Sequence, residues 1–337
     1  MMFAGGRKKV LFFSRGRGRG HAVVDIEVGR ELGELRDDVE IRFVSYGTGA
    51  RTFAERGIAA IDLGLPDANG IAVTTVLAGR LIGRLQPDLV VAHEEFAALP
   101  AAKIFGAKSV MITDFFGEPG KFSMESLWFA DRVLFIDRKG VFAEPDSAAG
   151  KVQYLGPQVR KFEYARRDRP RARHELGIDA DAAVIGVFPG SWTEAMAPIA
   201  DRLLAAFDGA KLRAKHLLWL AGQDAGLIRR RVKGRNNVTV IDVDWRIDRL
   251  MVACDMAITK STRTTVRELA SLGIRTLSVD SGVNPVDTES IAALRSNRTI
   301  GVEQLTARAI ERRLREPKPA PLRSRSKSCA AELAKLV

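Results

Sequence analysis

Three stretches of this sequence combine residue types that could do chemistry, and the first runs from Ser14 to His21. An apolar segment is followed by "SRGRGRG", in which glycine and arginine alternate, and then by a lone histidine. Glycines such as Gly18 and Gly20 let the backbone approach a ligand closely, and a helix that begins there presents free N–H groups to an anion. Arginines such as Arg17 could pair with phosphate, or could equally be solvated surface. The stretch is not the dinucleotide fingerprint G-x-G-x-x-G, because position 21 is histidine and no acidic residue ends the next predicted strand.

The acid–base candidates lie at the ends of predicted strands. His21 stands where a helix should begin, and a neutral imidazole there could accept a proton from a hydroxyl. Glu94 and Glu95 directly follow one apolar run, and Asp114 follows another. These carboxylates could orient the histidine. The alternatives are a capping histidine and acidic residues that favour a helix N-terminus.

The second half contains two more strand–turn–helix patterns. In "VIGVFPGSWTE", Gly190 lets the chain turn, and Ser191 and Thr193 supply hydroxyls beside the N–H groups of a predicted helix. This arrangement suits a pyrophosphate, although plain helix capping would use the same residues. The G-K-[ST] triplet of a P-loop is missing.

The most informative stretch is "ACDMAITKSTRTTVRELASLGIRTLSVD". A predicted strand ends at Thr259, a hydroxyl-rich turn follows, and a helix then begins. Ser261, Thr262 and Thr264 could hold phosphate together with backbone amides. Glu268, in the first turns of that helix, could bind a vicinal diol. A solvated helix carboxylate is the alternative, but it leaves the whole pattern unexplained.

Apolar runs that alternate with helical patterns must position these residues. Solid apolar runs joined by helices predict parallel sheets covered on both faces, so the fold class is α/β with two tandem Rossmann-like, doubly wound domains. Ligands are expected at the carboxyl ends of the strands. The predicted strands are Val10–Ser14, Glu40–Tyr46, Ala59–Leu63, Leu89–Ala92, Ser109–Thr113, Arg132–Ile136, Val184–Phe188, His216–Leu220, Val238–Val243, Met256–Thr259 and Arg275–Val279.

Two breaks in this rhythm set the expected boundaries. The basic segment "QYLGPQVRKFEYARRDRPRARHELG" has the composition of a hinge or linker, and "EPKPAPLR" precedes a short amphipathic helix, roughly Ser326 to Leu336. We therefore expect an N-terminal domain over residues 1–160, a C-terminal domain over 161–322, and a tail helix over 323–337.

Composition restricts the class of protein. The chain of 337 residues carries a formal net charge of +12, which suits an anionic substrate or an anionic membrane face, or is solvated surface charge. No signature of nucleic-acid recognition is present. Two cysteines and scattered histidines predict neither disulfides nor a metal site, and no apolar run approaches the ~20 residues of a membrane span. A cytoplasmic protein, peripheral to the inner membrane face, is the expectation.

The segment that begins at Cys254 resembles the donor site of the GT-B glycosyltransferases, especially the subgroup that transfers N-acetylglucosamine in lipid II synthesis. The subgroup's pattern R-x-G-A-x-T-V-x-E-L is matched at Thr265, Val266, Glu268 and Leu269, while Thr262 and Arg263 replace its glycine and alanine. The first loop is similar to the family's G-G-T-G-G-H turn, with His21 on its histidine. "FPGSWTE" stands where the family has "GGSQGA".

The resemblance implies two domains that face a cleft, the first binding an acceptor and the second a nucleotide sugar. The implied reaction is a metal-independent, inverting transfer from a UDP-type donor to a hydroxyl acceptor that is anionic or lipid-linked, with no cofactor. His21 is the expected base, oriented by Glu94, Glu95 or Asp114, and Arg263 helps to hold the diphosphate. The resemblance also implies that Glu268 binds the ribose and that Trp245 packs near the nucleotide base. Asp287 stands at the position of the family's usual glutamine. The alternatives are a nucleotide-sugar hydrolase, a 2-epimerase, or a nucleotide-sugar-binding protein without catalysis.

Overall fold

The chain divides into two compact units in the computed structural model, which describes residues 6–188, 199–280, 282, 285–292, 294–323 and 326–337. The N-terminal unit comprises Met1–Arg160 together with Ser324–Val337, and the C-terminal unit comprises Lys161–Arg323. Among the described residues, no helix combines the length and apolar character that a membrane span requires.

A seven-stranded sheet forms the centre of the N-terminal unit, in the order β3-β2-β1-β4-β5-β6-β7. Every neighbouring pair is parallel. The strand order reverses between β1 and β4, and ligands of such sheets bind at the carboxyl ends of the strands beside this switch point. The strands are β1 (Lys8–Ser14), β2 (Val39–Ser45), β3 (Ala60–Asp62), β4 (Leu89–His93), β5 (Lys108–Thr113), β6 (Arg132–Phe135) and β7 (Val152–Tyr154).

Helices cover both faces of this sheet, as the apolar composition of the strands requires. In β1, Leu11 and Phe13 belong to one buried cluster, and Val10 and Phe12 belong to the other. This alternation follows from the two-residue period of a strand, which sends successive side chains to opposite faces. The helices of the unit are α1 (Gly20–Leu35), α2 (Gly47–Glu55), α3 (Ile71–Leu85), α4 (Ala98–Ile104), α5 (Phe122–Glu125) and the C-terminal α13 (Ser326–Ala334).

The C-terminal helix α13 packs against α1 within the N-terminal unit. Cys329 and Leu333 are fully buried, in the same cluster as Val28 and Leu32 of α1. The Arg36 guanidinium extends this contact by donating a hydrogen bond of 3.0 Å to the carbonyl of Ala334. The last segment of the chain therefore completes the core that supports α1.

The C-terminal unit repeats the architecture with six parallel strands in the order β10-β9-β8-β11-β12-β13. Its switch point lies between β8 and β11. The strands are β8 (Ala183–Phe188), β9 (Lys215–Leu220), β10 (Val238–Ile241), β11 (Met256–Lys260), β12 (Arg275–Asp280) and β13 (Asn297–Gly301), and the helices are α6 (Arg169–Glu175), α7 (Ala200–Gly209), α8 (Ala225–Arg231), α9 (Ile247–Ala253), α10 (Arg263–Ser271), α11 (Pro285–Ala292) and α12 (Ala307–Arg315).

The prediction of a linker over the basic segment 153–177 is wrong in part, because helix α6 occupies its second half. Pro170 stands in the first turn of α6, where a missing backbone N–H costs nothing. The Arg173 guanidinium is buried and donates to the Ala253 carbonyl at 3.0 Å and to the Asp255 carboxylate at 2.9 Å. Partners distant in sequence thus order a segment whose composition alone is typical of a linker.

Candidate functional site

The loop between β1 and α1 brings the glycine–arginine stretch to the switch point of the first sheet. Gly18 has a φ of +83°, in the left-handed region that favours glycine. Gly16 packs so closely on Tyr46 that a Cβ atom would lie 2.2 Å from the tyrosine ring. Gly20 begins α1, and His21 follows as its second residue. The glycines therefore shape the turn that sets the histidine at the start of the helix.

His21 and Glu94 form a hydrogen-bonded pair at this edge of the sheet. The Nε2 atom of His21 lies 3.1 Å from Oε2 of Glu94, and the two side chains are 19% and 2% exposed. The same carboxylate oxygen lies 3.4 Å from a guanidinium nitrogen of Arg15. Its other oxygen accepts a hydrogen bond of 3.4 Å from the Thr113 hydroxyl.

The backbone at Glu94 is in an unusual conformation. Its φ is +51°, which a residue with a Cβ adopts only where the surroundings enforce it. The Glu94 N–H donates to the carbonyl of Ile112 at 3.1 Å, and the residue makes an isolated bridge with Ser14 of β1. Strained residues held in this way are concentrated at functional sites. We therefore infer that the strained backbone at Glu94 turns its carboxylate towards His21.

Burial lowers the pKa of the His21 imidazole, while the hydrogen bond and negative charge of Glu94 oppose that shift and raise it. Burial has the larger effect, so the ring is neutral near pH 7. A carboxylate can only accept, so the hydrogen on Nε2 points to Glu94. The other nitrogen, Nδ1, is buried and makes no hydrogen bond to any described residue. His21 therefore holds an unused basic nitrogen.

The other two predicted carboxylates have different surroundings. Glu95 is buried and accepts a hydrogen bond of 2.9 Å from the Tyr46 hydroxyl, and burial raises its pKa. Asp114 is 7% exposed and follows β5 directly. Of the three carboxylates, Glu94 is the one whose hydrogen bond to His21 the structure defines.

The arginines of the loop differ in their environments. Arg19 pairs with Glu55 at 2.6 Å and Arg15 lies beside Glu94. Arg17 is exposed. Partial burial lowers the pKa of the Arg17 guanidinium, and the positive charge of Arg15 lowers it further by a smaller amount. The loop therefore carries positive potential next to the histidine.

In the C-terminal unit, the turn from β11 to α10 carries hydroxyls without partners. The Ser261 Oγ and Thr262 Oγ1 atoms are both buried and make no hydrogen bond to any residue that the structure describes. Thr262 precedes α10 and its side chain does not cap the helix. Buried polar atoms usually have a partner, so these two are candidates for ligand contacts.

Glu268 lies on α10 and is only 5% exposed. It does not behave as the solvated helix carboxylate that the sequence left as the alternative. In the first turns of the same helix, Arg263 and Thr265 are half-buried and Thr264 is exposed. The helix therefore begins with polar side chains and free N–H groups, next to a buried acid.

The remaining predicted residues belong to the C-terminal half of the sequence, and three of them lie outside the described residues. Trp245 is half-buried in the loop that follows β10. Asp287 lies in α11, and its side chain is outside the described part of the structure. Gly190, Ser191 and Thr193 lie outside the described residues as well.

The chain is similar in sequence and in structure to known proteins. No protein-family model matches the chain. A curated relative from Desulforudis audaxviator (strain MP104C) is a UDP-N-acetylglucosamine–N-acetylmuramyl-(pentapeptide) pyrophosphoryl-undecaprenol N-acetylglucosamine transferase. It is 26% identical in an alignment of length 302 that covers 80% of this chain and 78% of the relative. Among solved structures, MurG of Acinetobacter baumannii matches 98% of this chain and 99% of its own at a TM-score of 0.62 and 14% identity. UGT89C1 of Arabidopsis thaliana, complexed with UDP, matches 98% and 94% at a TM-score of 0.67 and 14% identity.

The chain has the two-domain GT-B fold of these glycosyltransferases. A UDP-N-acetylglucosamine 2-epimerase has the same fold, with a TM-score of 0.65 and 13% identity over 97% of this chain and 96% of its own. The fold alone thus accommodates more than one reaction, and the residues at the strand ends must decide between them.

The sequence did not point to Thr113 as a residue of this site. Thr113 ends β5, the strand next to β4, and its hydroxyl contacts the Glu94 carboxylate. The available signal was its position as the last residue of an apolar run, directly before Asp114. Over the described residues, no three histidine, cysteine or acidic side chains are grouped as metal ligands would be.

Proposed function

We propose that this glycosyltransferase moves a sugar from a UDP-type donor to a hydroxyl acceptor, with inversion at the sugar carbon and without a metal ion. The observation that carries the proposal is the hydrogen bond between His21 and Glu94, because it leaves Nδ1 of a neutral, buried imidazole to act as the base. The UDP donor is supported by the UDP-N-acetylglucosamine substrate of the curated relative and by the UDP complex of the plant structure.

The N-terminal unit would activate the acceptor. The acceptor hydroxyl attacks the anomeric carbon as its proton passes to Nδ1 of His21, and the bond from that carbon to the diphosphate oxygen breaks. The products are the glycoside and the nucleoside diphosphate. Glu94 stabilises the imidazolium that forms, because its carboxylate is held 3.1 Å from the opposite ring nitrogen. Attack from the face opposite the leaving group inverts the configuration.

The C-terminal unit would bind the donor. The first N–H groups of α10 and the unpartnered hydroxyls of Ser261 and Thr262 suit the diphosphate, whose negative charge grows as the bond breaks. Arg263 adds positive charge at the same helix end. Glu268 is proposed to bind the two ribose hydroxyls, since a buried carboxylate can accept from both.

Further donor contacts are carried over from the sequence. The turn with Gly190, Ser191 and Thr193 would hold the second phosphate, Trp245 would pack near the nucleotide base, and Asp287 would contact the sugar. These positions remain predictions. Substitution of each by alanine, followed by measurement of the UDP affinity, would test them one at a time.

The acceptor is proposed to be lipid-linked and reached from the cytoplasmic face of an anionic membrane. The curated relative has a lipid-linked substrate in its name. Helix α4 packs against both α3 and the segment 126–129. Together with Phe105, which follows α4, these elements carry the exposed apolar side chains that we call the apolar patch: Val73, Val76, Ile104, Phe105, Trp128 and Phe129. The ammonium of Lys151 lies 5.7 Å from the Trp128 ring. An apolar patch beside basic side chains suits an anionic bilayer surface.

The proposed donor is tested by thermal shift with UDP-, TDP- and GDP-sugars. A donor at one hundred times its dissociation constant should add about 2.7 kcal/mol of stability. Incubation of the stabilising donor with lipid-linked and water-soluble alcohols should then release UDP only when an acceptor is present. Release of UDP and free sugar without an acceptor would identify a hydrolase instead. Binding without any turnover would leave a nucleotide-sugar-binding protein.

Epimerisation is the second candidate, because the 2-epimerase structure matches the chain as well as the transferases do. That reaction would convert UDP-N-acetylglucosamine to its 2-epimer without accumulating UDP and with no acceptor. Proton NMR of the donor sugar distinguishes the two activities directly.

The membrane proposal has a separate test. The pair of substitutions Trp128→Ser and Phe129→Ser should reduce co-sedimentation with vesicles of anionic lipid at least ~5-fold, while turnover of a water-soluble acceptor stays unchanged. Leu35→Ser, on α1, is the control at another exposed apolar residue. Equal binding of all variants to the vesicles would contradict the assignment of the patch.

A further inference from the structure

A second histidine–carboxylate pair lies directly behind His21 and takes no part in the function described so far. The Nδ1 atom of His93 lies 2.7 Å from Oδ1 of Asp25, and the two residues are 3% and 0% exposed. Ser14 donates its hydroxyl to the other carboxylate oxygen of Asp25. The strand β1, the strand β4 and the helix α1 each contribute one of these side chains.

Electrostatics indicates how this pair is protonated. A fully buried carboxylate is costly unless a positive charge or a proton neutralises it. Of the two side chains that hydrogen-bond to Asp25, the Ser14 hydroxyl stays neutral and the His93 imidazole can carry a charge. The Asp25 carboxylate can only accept, so Nδ1 of His93 and the Ser14 hydroxyl both direct a hydrogen to it, and the orientation of the His93 ring is fixed.

His93 contacts both members of the proposed catalytic pair. Its ring centroid lies 4.8 Å from that of His21, with the rings at 84°. His93 also directly precedes Glu94 in the sequence, and the backbone φ of Glu94 is +51°. The carbonyl of His93 accepts a hydrogen bond of 3.1 Å from the N–H of Arg15. A shift of the His93 side chain would therefore move the ring packing of His21 and the strained backbone of Glu94 together.

We propose that Asp25 and His93 are positioning residues for the transfer reaction. Asp25 fixes the orientation of His93 and favours its charged form, and His93 in turn packs against the His21 ring and supports the backbone of Glu94 beside it. The proton of the incoming hydroxyl then passes to Nδ1 of His21, the ring nitrogen that carries no hydrogen in the neutral imidazole. The inference rests on the proposed function, since it gives His21 the role of base.

The charge of His93 acts on His21 in the required direction. A positive charge on His93 opposes protonation of His21 and lowers its pKa, in addition to the larger effect of burial. Arg15 acts in the same sense, and Glu94 in the opposite one. From the C-terminal helix, burial raises the pKa of the Cys329 thiol, and the negative charges of Asp25, Glu31 and Glu332 act in the same direction. Around the two pairs, the structure places Ser14 and Arg15 from β1 and its loop, Thr113 from β5 and Cys329 from α13.

The test is a histidine titration by NMR of the full chain, combined with the pH profile of sugar transfer. The chain has four histidines, so nitrogen-15 labelling of histidine gives few signals to assign. Asp25→Asn removes the carboxylate that orients His93 and favours its charged form, so the lowering of the His21 pKa by His93 should weaken and that pKa should rise by about one unit. The acid limb of kcat/KM should move up by the same amount, and kcat should fall about tenfold while KM changes little.

His93→Asn is the second variant, which keeps an N–H donor for Asp25 and removes the charge. It should raise the His21 pKa as well, so the proposal remains open to test even if Asp25→Asn does not fold. His216→Asn in the C-terminal unit is the control, because His216 hydrogen-bonds to Thr239 at 2.9 Å and is not placed in the site. The control should leave the His21 titration and the pH profile unchanged.

The outcomes separate this inference from the proposed function. If the wild type transfers sugar and His21→Ala does not, but folded Asp25→Asn and His93→Asn leave the His21 pKa and the profile unchanged, the positioning role is wrong. A lower melting temperature without a change in the His21 titration would likewise reduce the pair to a structural role. If no donor and acceptor pair gives turnover, the proposed function is wrong, although the NMR titration still reports whether the two pairs are coupled.

Discussion

His21 and Glu94 are 73 residues apart in the sequence, yet Nε2 of one lies 3.1 Å from Oε2 of the other. The hydrogen bond joins the start of α1 to the end of β4, two elements that meet where the strand order of the first sheet reverses. The pair lies at the position where sheets of this topology bind ligands, and we propose that it supplies a base and its counter-charge there.

Glu94→Gln should reduce kcat for sugar transfer about 100-fold. The amide preserves the shape and can accept from Nε2, but it has no charge to stabilise the imidazolium that forms in the reaction. Glu95→Gln is the matched control, because its oxygen can still accept from the Tyr46 hydroxyl. We expect its kcat to stay within about twofold of the wild type. Steady-state kinetics with saturating donor measures both, and equal losses in the two variants would contradict the role of Glu94.

The pH dependence of kcat/KM should show an acid limb below pH 6.5. His21 acts as a base only when neutral, and burial lowers its pKa from the ordinary value of 6.5. Because the Glu94 carboxylate opposes that shift, Glu94→Gln should move the limb to still lower pH. A limb above pH 6.5 in the wild type, or an upward shift in the variant, would conflict with this assignment.

Glu95 predicts a separate effect on stability. Burial raises its pKa above the ordinary value of 4.5, so the folded state binds more protons than the unfolded state as pH rises through that region. The free energy of unfolding should therefore decrease as pH rises from about 4.5 through the pKa of the folded state. Glu95→Gln removes the titrating group and keeps the bond from Tyr46. Melting temperatures over pH 4–8 should show a smaller loss with rising pH in the variant, and parallel curves would argue against a raised pKa.

Glu268→Gln should weaken binding of the stabilising UDP-sugar by about 10- to 100-fold, because a hydrogen bond to a charged acceptor contributes roughly 1.5–3 kcal/mol. Glu303→Gln provides the control, since its side chain is 81% exposed and pairs with Arg202 at the surface. Isothermal titration calorimetry with the intact chain gives both affinities. Unchanged affinity in Glu268→Gln would remove the acid from the ribose site.

Leu333→Ala should lower the free energy of unfolding by about 2–4 kcal/mol, because the side chain is fully buried in the cluster shared by α13 and α1. Leu35→Ala removes a leucine that is 55% exposed on α1 and should cost less than about 0.5 kcal/mol. Denaturant titration measures both variants. Similar losses at the two positions would indicate that α13 does not stabilise the unit.

Local composition was enough to predict much of the fold. Solid apolar runs such as Val10–Ser14 form strands because they must be buried on both faces, and the helices between them follow from their periodicity. The segment around α6 was predicted wrongly because its arginines resemble solvated charges until a distant partner such as Asp255 is known. Short strands such as β7 carry too few residues for a periodic signal.

The sequence by itself determined that His21 follows a glycine-rich turn, that carboxylates stand at the ends of strands, and that a hydroxyl-rich turn precedes Glu268, since these are properties of neighbouring residues. Only the tertiary structure decided which carboxylate pairs with His21, and that Asp25 and His93 lie behind it. The physical reason is that parallel strands distant in the chain come together only when the sheet forms, and their register sets which side chains meet.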